Sequence, residues 1–234
     1  MSLTNRVSEE EVHNIFSRVA PKYDVMNNII SLGIQKKWRR LFLDTLNPEN
    51  QNNFLDLCCG TGDSTIDLLK KGDRVVGLDF NEPMLKIAKR KSKEKKLDES
   101  IDWVKGNAMD LPFRDDSFDL VTICFGLRNV PDARQVTSEV YRVLKPGGCF
   151  AVLEMSQPTN PVIKLGWNLY FKLFPYFAKL TRNKVADYRY LSKTSKNFFS
   201  AVQLKELMEE KGFKDVSVTK LTWGVGAIHI GQKK

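Results

Sequence analysis

The sequence predicts an α/β domain, a mostly parallel sheet with helices on both faces. Three observations carry this. Short apolar runs at Phe54-Leu55, Val75-Val76-Gly77-Leu78, Ile101-Asp102-Trp103-Val104, Phe118 to Cys124 and Cys149 to Leu153 read as strands. Helical spacings stand between them, at Ile66, Leu68 and Leu69 and again at Val136, Val140, Val143 and Leu144. Strands alternating with helices close into a parallel sheet, because each crossover lays a helix over one face. The first strand also runs straight into a glycine-rich turn, Asp56-Leu57-Cys58-Cys59-Gly60-Thr61-Gly62-Asp63, that opens a helix.

Taken in order, residues 1–48 read as a helical cap ahead of the sheet. Ser8 and Glu11 form a capping-box pattern, and Val12, Ile15, Phe16 and Val19 mark one helix face. Pro21 interrupts, Tyr23, Met26 and Ile30 resume the spacing up to Gly33, and Trp38, Leu41 and Phe42 mark a third helix before Pro48. Asp132 opens the helix that Lys145-Pro146-Gly147-Gly148 ends, ahead of the fifth strand. Residues 156–200 read as a helical insertion facing substrate or lipid. Its stretch 162–180 is rich in aromatic and aliphatic residues, among them Trp167, Tyr170, Phe174, Tyr176 and Phe177. Lys164, Lys172, Lys179, Arg182, Lys184 and Arg189 are interleaved, and Asp187 is the lone acid between 164 and 205. An aromatic helix with basic neighbours suits an anionic membrane surface or a greasy pocket. Ser200 and Gln203 cap a last helix that stops at Gly212. Val216–Leu221 and Ala227–Ile230 then make a terminal hairpin, on which His229 reads as structural.

The turn points to a ligand. A strand that ends in glycines and opens a helix brings bare backbone and N–H groups against it. The next strand ends in Asp79, placed about 20 residues on, where an acid holds ribose hydroxyls. A dinucleotide fingerprint wants a third small residue, but Thr65 stands there. The turn also carries Asp56 and Asp63 with no Lys or Arg. That suits a cation without phosphate, and S-adenosylmethionine, with its sulfonium and amine, fits.

The motifs D-x-C-C-G-T-G-D, Asp79, G-N-A-x-x-L-P-F (106–113), F-G-L-R-N-V (125–130) and L-K-P-G-G (144–148) resemble the class I methyltransferases. The runs Phe16-Ser17-Arg18-Val19-Ala20-Pro21-Lys22-Tyr23-Asp24-Val25-Met26-Asn27 and Tyr188-Arg189-Tyr190-Leu191, with F-G-L-R-N, narrow this to similarity with the quinone C-methyltransferase family. The resemblance spans nearly the whole chain. It implies a Rossmann-like class I methyltransferase domain over 1–234, with one antiparallel strand inserted from the C-terminal hairpin. It implies C-methylation of a polyprenylated quinol, demethylmenaquinol ahead of the benzoquinol of ubiquinone synthesis. It places Asp56, Gly60, Thr61 and Gly62 by the methionine part of S-adenosylmethionine, Asp79 on the ribose, and Phe80, Asn107 and Ala108 at the adenine. Cys124 stands where relatives often carry serine near the cofactor. Quinol carbon becomes nucleophilic once a ring hydroxyl loses its proton, so an oxyanion needs support at neutral pH. Arg128 is the candidate for that support, with Asn129 orienting the same oxygen or a water and Tyr23 near the acceptor. The implied partners are the quinol, a membrane surface touched transiently and a second copy of the chain in a homodimer, with no nucleic acid.

Bulk properties agree. The 234 residues suffice for one large α/β domain. The net charge of +9 fits an anionic surface, and on its own would equally fit RNA binding with RNA methylation. No run nears the ~20 apolar residues of a membrane span, and the first residues lack a signal-peptide block. The expected location is cytoplasmic, peripheral at the inner face of the membrane. Cys58, Cys59, Cys124 and Cys149 lack C-x-x-C spacing and read as reduced packing residues, and the two histidines form no metal cluster.

Overall fold

Phe54, Leu55 and Leu57 are wholly buried, because the first strand is covered on both faces and so needs no polar alternation. The computed structural model describes residues 4, 7–46, 53–173 and 185–234. Within them the strands are β1 (Asn53–Leu57), β2 (Arg74–Asp79), β3 (Ile101–Lys105), β4 (Phe118–Cys124), β5 (Leu144–Met155), β6 (Lys214–Leu221) and β7 (Gly226–Gln232). They form a sheet in the order β3-β2-β1-β4-β5-β7-β6. The first five run parallel. β7 enters antiparallel between β5 and β6.

The helices are α1 (Glu9–Val19), α2 (Tyr23–Ser31), α3 (Ile34–Thr45), α4 (Asp63–Leu68), α5 (Glu82–Glu94), α6 (Ala133–Val143), α7 (Pro161–Leu173), α8 (Val185–Asn197) and α9 (Ala201–Glu210). Local chemistry starts several of them. Asp132 accepts from the backbone N–H of Arg134 and Gln135, Asn81 from that of Met84, and Ser200 and Gln203 close a full capping box. On α6, Val136, Val140 and Val143 are fully buried, each contributing about 1.5–3 kcal/mol by leaving water. They join one core layer with Phe150, Leu204 and Phe213. Trp38, Phe42, Leu68 and Leu120 fill the opposite layer. A third cluster, Val12, Ile15, Met26, Trp167, Phe171 and Tyr190, joins α1 and α2 to α7 and α8.

One expectation changes. The 145–148 segment is not only a turn, because β5 already begins at Leu144. Its register with β4 shifts between Phe118 and Leu120, and that irregularity absorbs Gly147 and Gly148. Of the aromatic insertion, Phe174, Tyr176, Phe177, Lys179, Arg182 and Lys184 lie outside the described residues, as does Pro48.

The register fixes where a ligand can sit. Leu57 pairs with Leu78 on one side and Ile123 on the other, and Cys124 pairs with Leu153. Cys58 and Phe125 therefore leave the sheet together at its carboxyl edge, beside Asp79, the last residue of β2, and Glu154. The strand order reverses between β1 and β4, which opens a crevice at that edge.

Candidate active site

A cleft of about 740 Å³, its open mouth included, occupies this edge. Its floor is the turn after β1. Gly60 has φ +55°, and a Cβ there would project into open space with the Tyr23 ring 4.0 Å away. The bare backbone is thus a cradle that a side chain would fill. Gly62 has a different reason: its Cβ would lie 2.5 Å from the Trp103 ring and 2.9 Å from Ala88, so it serves helix–sheet packing. Cys58 and Phe125, which end the turn-bearing edges of β1 and β4, both hold left-handed φ near +53° and +59° without being glycine. Such residues cost on the order of 1–3 kcal/mol and gather at functional sites.

Asp79 stands in the wall, 6% exposed. One carboxylate oxygen accepts from the N–H of Asn81 and the other from that of Gly60, each at 2.8 Å. Burial pushes its carboxyl up to about 6, against these hydrogen bonds and the His13 charge, which pull it down. Phe80, packed edge-on against His13, and Asn107 with Ala108 continue the wall. Over them lies α1, which contributes Glu9, Val12 and Phe16, and Tyr23 closes the far side. Burial raises the Tyr23 hydroxyl above its ordinary value, opposed by its hydrogen bond to Asn27 and by the Arg128 charge.

Among the described residues no Lys or Arg lines the cleft, although the chain carries a net +9, and Glu9 and Asp79 are its charged groups. Such a lining repels phosphate and accepts a cation. The cradle at Gly60, the acid that ends β2 and this charge balance fit S-adenosylmethionine.

Gly60, Asp79, Phe80, Asn107, Ala108, Cys124, Asn129 and Tyr23 come together in this cleft. Four expected residues do not line it. Asp56 turns away: its two oxygens accept from Thr122 Oγ1 at 2.9 Å and Thr65 Oγ1 at 2.7 Å, tying β1 to β4 and α4. Thr61 donates to Asp24 Oδ1 at 2.6 Å, and Lys91 binds both Asp24 and Asp63, so this turn anchors α2. Gly62 packs as described. Arg128 is committed to Glu154: its guanidinium reaches Glu154 Oε1 and the Phe125 carbonyl, each at 2.6 Å. Its charge reaches the cleft only at a distance. The thiol of Cys124 does line the cleft, but burial pushes it well up, as it does for Cys58. Neither is a nucleophile at neutral pH. His229 is buried with Nε2 2.8 Å from the Ala201 carbonyl, and burial lowers its pKa, in keeping with a structural role.

The sequence reading missed Glu9, Asn81 and Glu154. Glu154 had a signal: an acid in an otherwise apolar strand, Phe150 to Met155, must be paired or functional. Asn81 had one too, an Asn before Glu-Pro that caps a helix.

The model of the ubiE/COQ5 methyltransferase family matches residues 4–233. A demethylmenaquinone methyltransferase of Lactobacillus johnsonii is 58% identical, covering 100% of this chain and 97% of that one. One of Lactiplantibacillus plantarum is 44% identical, covering 95% and 96%. Among solved structures, a possible histamine N-methyltransferase from Thermotoga maritima shares the fold with TM-score 0.69 at 21% identity, covering 95% of this chain and 100% of that one. The [4+2]-cyclase SpnF does so at 0.71 and 16%, covering 97% of each. That a cyclase appears there shows that the fold alone does not set the reaction.

Proposed function

The chain belongs to the ubiE/COQ5 methyltransferase family, and on that premise we propose that it methylates the ring carbon of demethylmenaquinol in menaquinone biosynthesis. S-adenosylmethionine is its methyl donor. The observation that carries the reading is the acid-lined, lysine- and arginine-free cleft at the carboxyl edge, in a chain 58% identical to an enzyme of that name. The benzoquinol and RNA readings find no support in those relatives.

The cofactor supplies an electrophilic methyl on a cationic sulfur. Asp79 receives the ribose hydroxyls, and the bare Gly60 backbone lets the chain approach closely. The acceptor lies on the other side, toward Tyr23 and Asn129. Tyr23 keeps its proton because it is buried, so it serves as a donor to the ring oxyanion and not as a base. Asn129, whose side chain also donates to the Phe125 carbonyl at 3.2 Å, orients the same oxygen. Arg128 acts through position: paired with Glu154, it fixes the left-handed Phe125 turn that presents Asn129. Alignment of sulfur, methyl and carbon supplies the larger share of the rate.

A prenylated acceptor lives in a bilayer, and we place the enzyme peripherally on it. No helix among the described residues is long and apolar enough to cross a membrane. Supporting surface contact, α7, which carries Lys164 and Lys172, turns Val162, Leu165, Leu169 and Leu173 to solvent, and Leu32 at the α2–α3 turn is 82% exposed. The Tyr170 hydroxyl donates to the Ile30 carbonyl and joins the two elements.

The test is purified protein with methyl-labelled cofactor and a panel of demethylated naphthoquinols, benzoquinols and RNA. Label on the naphthoquinol ring carbon is expected. Label confined to RNA, or to a heteroatom, overturns the proposal.

A further inference from the structure

One acid in the cleft has no part in the chemistry above. Glu9 is the first residue of α1, and its Oε1 lies 3.4 Å from Asn107 Nδ2. The Asn107 oxygen is already engaged, accepting from the N–H of Met109 at 2.9 Å. The amide is therefore oriented, oxygen toward its own turn and nitrogen toward Glu9. An adenine presents on one edge an exocyclic amine, a donor, beside a ring nitrogen, an acceptor. Asn107 offers a donor for the ring nitrogen, while its oxygen is turned toward the Met109 N–H, on the side opposite Glu9. The acceptor facing that spot is the Glu9 carboxylate.

We propose that Glu9 accepts a hydrogen bond from the exocyclic amine of the cofactor's adenine, so that the roof helix α1 reads the base. This rests on the reading of the cleft as an S-adenosylmethionine site. Two further contacts fix α1 in place for the task. Ser8 Oγ accepts from the Glu11 N–H at 3.2 Å and sets the first turn that carries Glu9. Asn81, fully buried, donates through Nδ2 to the His13 carbonyl at 2.9 Å and to Ser17 Oγ at 2.8 Å, while its N–H holds Asp79. Helix α1 and Asp79 are thus tied to one another through one residue, Asn81, by its side chain and its backbone N–H respectively.

The test is calorimetric binding of S-adenosylhomocysteine and of S-inosylhomocysteine, whose 6-oxo base exchanges the donor and acceptor on that edge. Wild-type protein is expected to prefer the adenosyl ligand by tenfold or more, since a polar site rejects a ligand that leaves its groups unpaired. Glu9→Gln, able to donate to the 6-oxo group, should shrink that preference at least fivefold. Glu9→Ala should weaken the adenosyl ligand and spare the inosyl one. Glu10→Gln, its exposed neighbour, should change neither. Equal losses for both ligands in the Glu9 variants would make Glu9 merely structural and overturn the proposal. Wild-type protein that binds neither ligand would instead overturn the reading of the cleft, and this inference with it.

Discussion

The two sides of the cleft are built differently. The side proposed for the cofactor comes mostly from three neighbouring strand ends, with backbone N–H groups and short polar side chains between Cys58 and Ala108, and α1 laid over them. The side proposed for the acceptor is assembled from distant pieces: Phe16 and Tyr23 from the N-terminal cap and Phe125 and Asn129 after β4, with Tyr190 of α8 packed behind Phe16. Phe16 meets Tyr23 and Tyr190 edge-on at 6.1 and 6.4 Å, and Arg18 binds Asp187 at 2.6 Å across the same seam. A side made by one local motif tolerates change elsewhere, whereas a side made by tertiary packing fails when any contributor does. The most informative substitutions separate these two behaviours.

The largest effect is expected on the acceptor side. Glu154→Ala leaves Arg128 buried without its counter-charge and should cost about 3–5 kcal/mol, read as a lowered midpoint of urea unfolding. An unchanged midpoint would show that the pair is dispensable. On the cofactor side, Asp79→Ala should weaken cofactor binding a hundredfold or more in calorimetry, with a smaller loss of stability, about 1–3 kcal/mol, from the Asn81 and Gly60 N–H groups it leaves without an acceptor. Unchanged affinity would remove Asp79 from the ribose. Tyr23→Phe should lower kcat about tenfold with cofactor affinity unaltered, as general positioning of an oxyanion donor requires. A matching loss of affinity would make Tyr23 part of the cofactor side instead.

Titration sharpens the comparison further. Asp79 and Asp56 both titrate near 6 in the fold, above the ordinary 3.8, because both are buried. A raised carboxyl binds its proton more tightly when folded, so these groups cost nothing below pH 4 and reduce stability as pH rises through 6. Ribose hydroxyls favour the Asp79 anion. Cofactor affinity should therefore fall as pH drops below about 6, approaching tenfold per unit, and Asp79→Asn should flatten that curve. Asp56, closed off by Thr65 and Thr122, should behave otherwise: Asp56→Asn is expected to alter cofactor affinity less than threefold. A larger change would return Asp56 to the ligand.

This division also explains what was legible in the sequence. Strand order, the acid at the end of β2 and the Gly60 cradle follow from short-range rules, since a turn's chemistry is written in consecutive residues. The roles of Asp56 and Thr61 were not legible, because their partners Thr122 and Asp24 are 66 and 37 positions away. Arg128 looked like a free cation beside a reacting ring. Only the register of β4 on β5 reveals that Glu154 stands next to it. Helix α1 was visible as a helix, from Ser8 and its apolar face, but nothing in its spacing said that it would come to rest over Asn107 and the cleft.

An acid-rimmed recess without bases treats its visitor differently before and after turnover. The donor enters carrying a positive charge and departs as a neutral thioether, so the field of Glu9 and Asp79 attracts the first and is indifferent to the second. Fresh donor should thereby compete well with spent ligand, and added salt should erode that advantage by screening the extra charge on the donor.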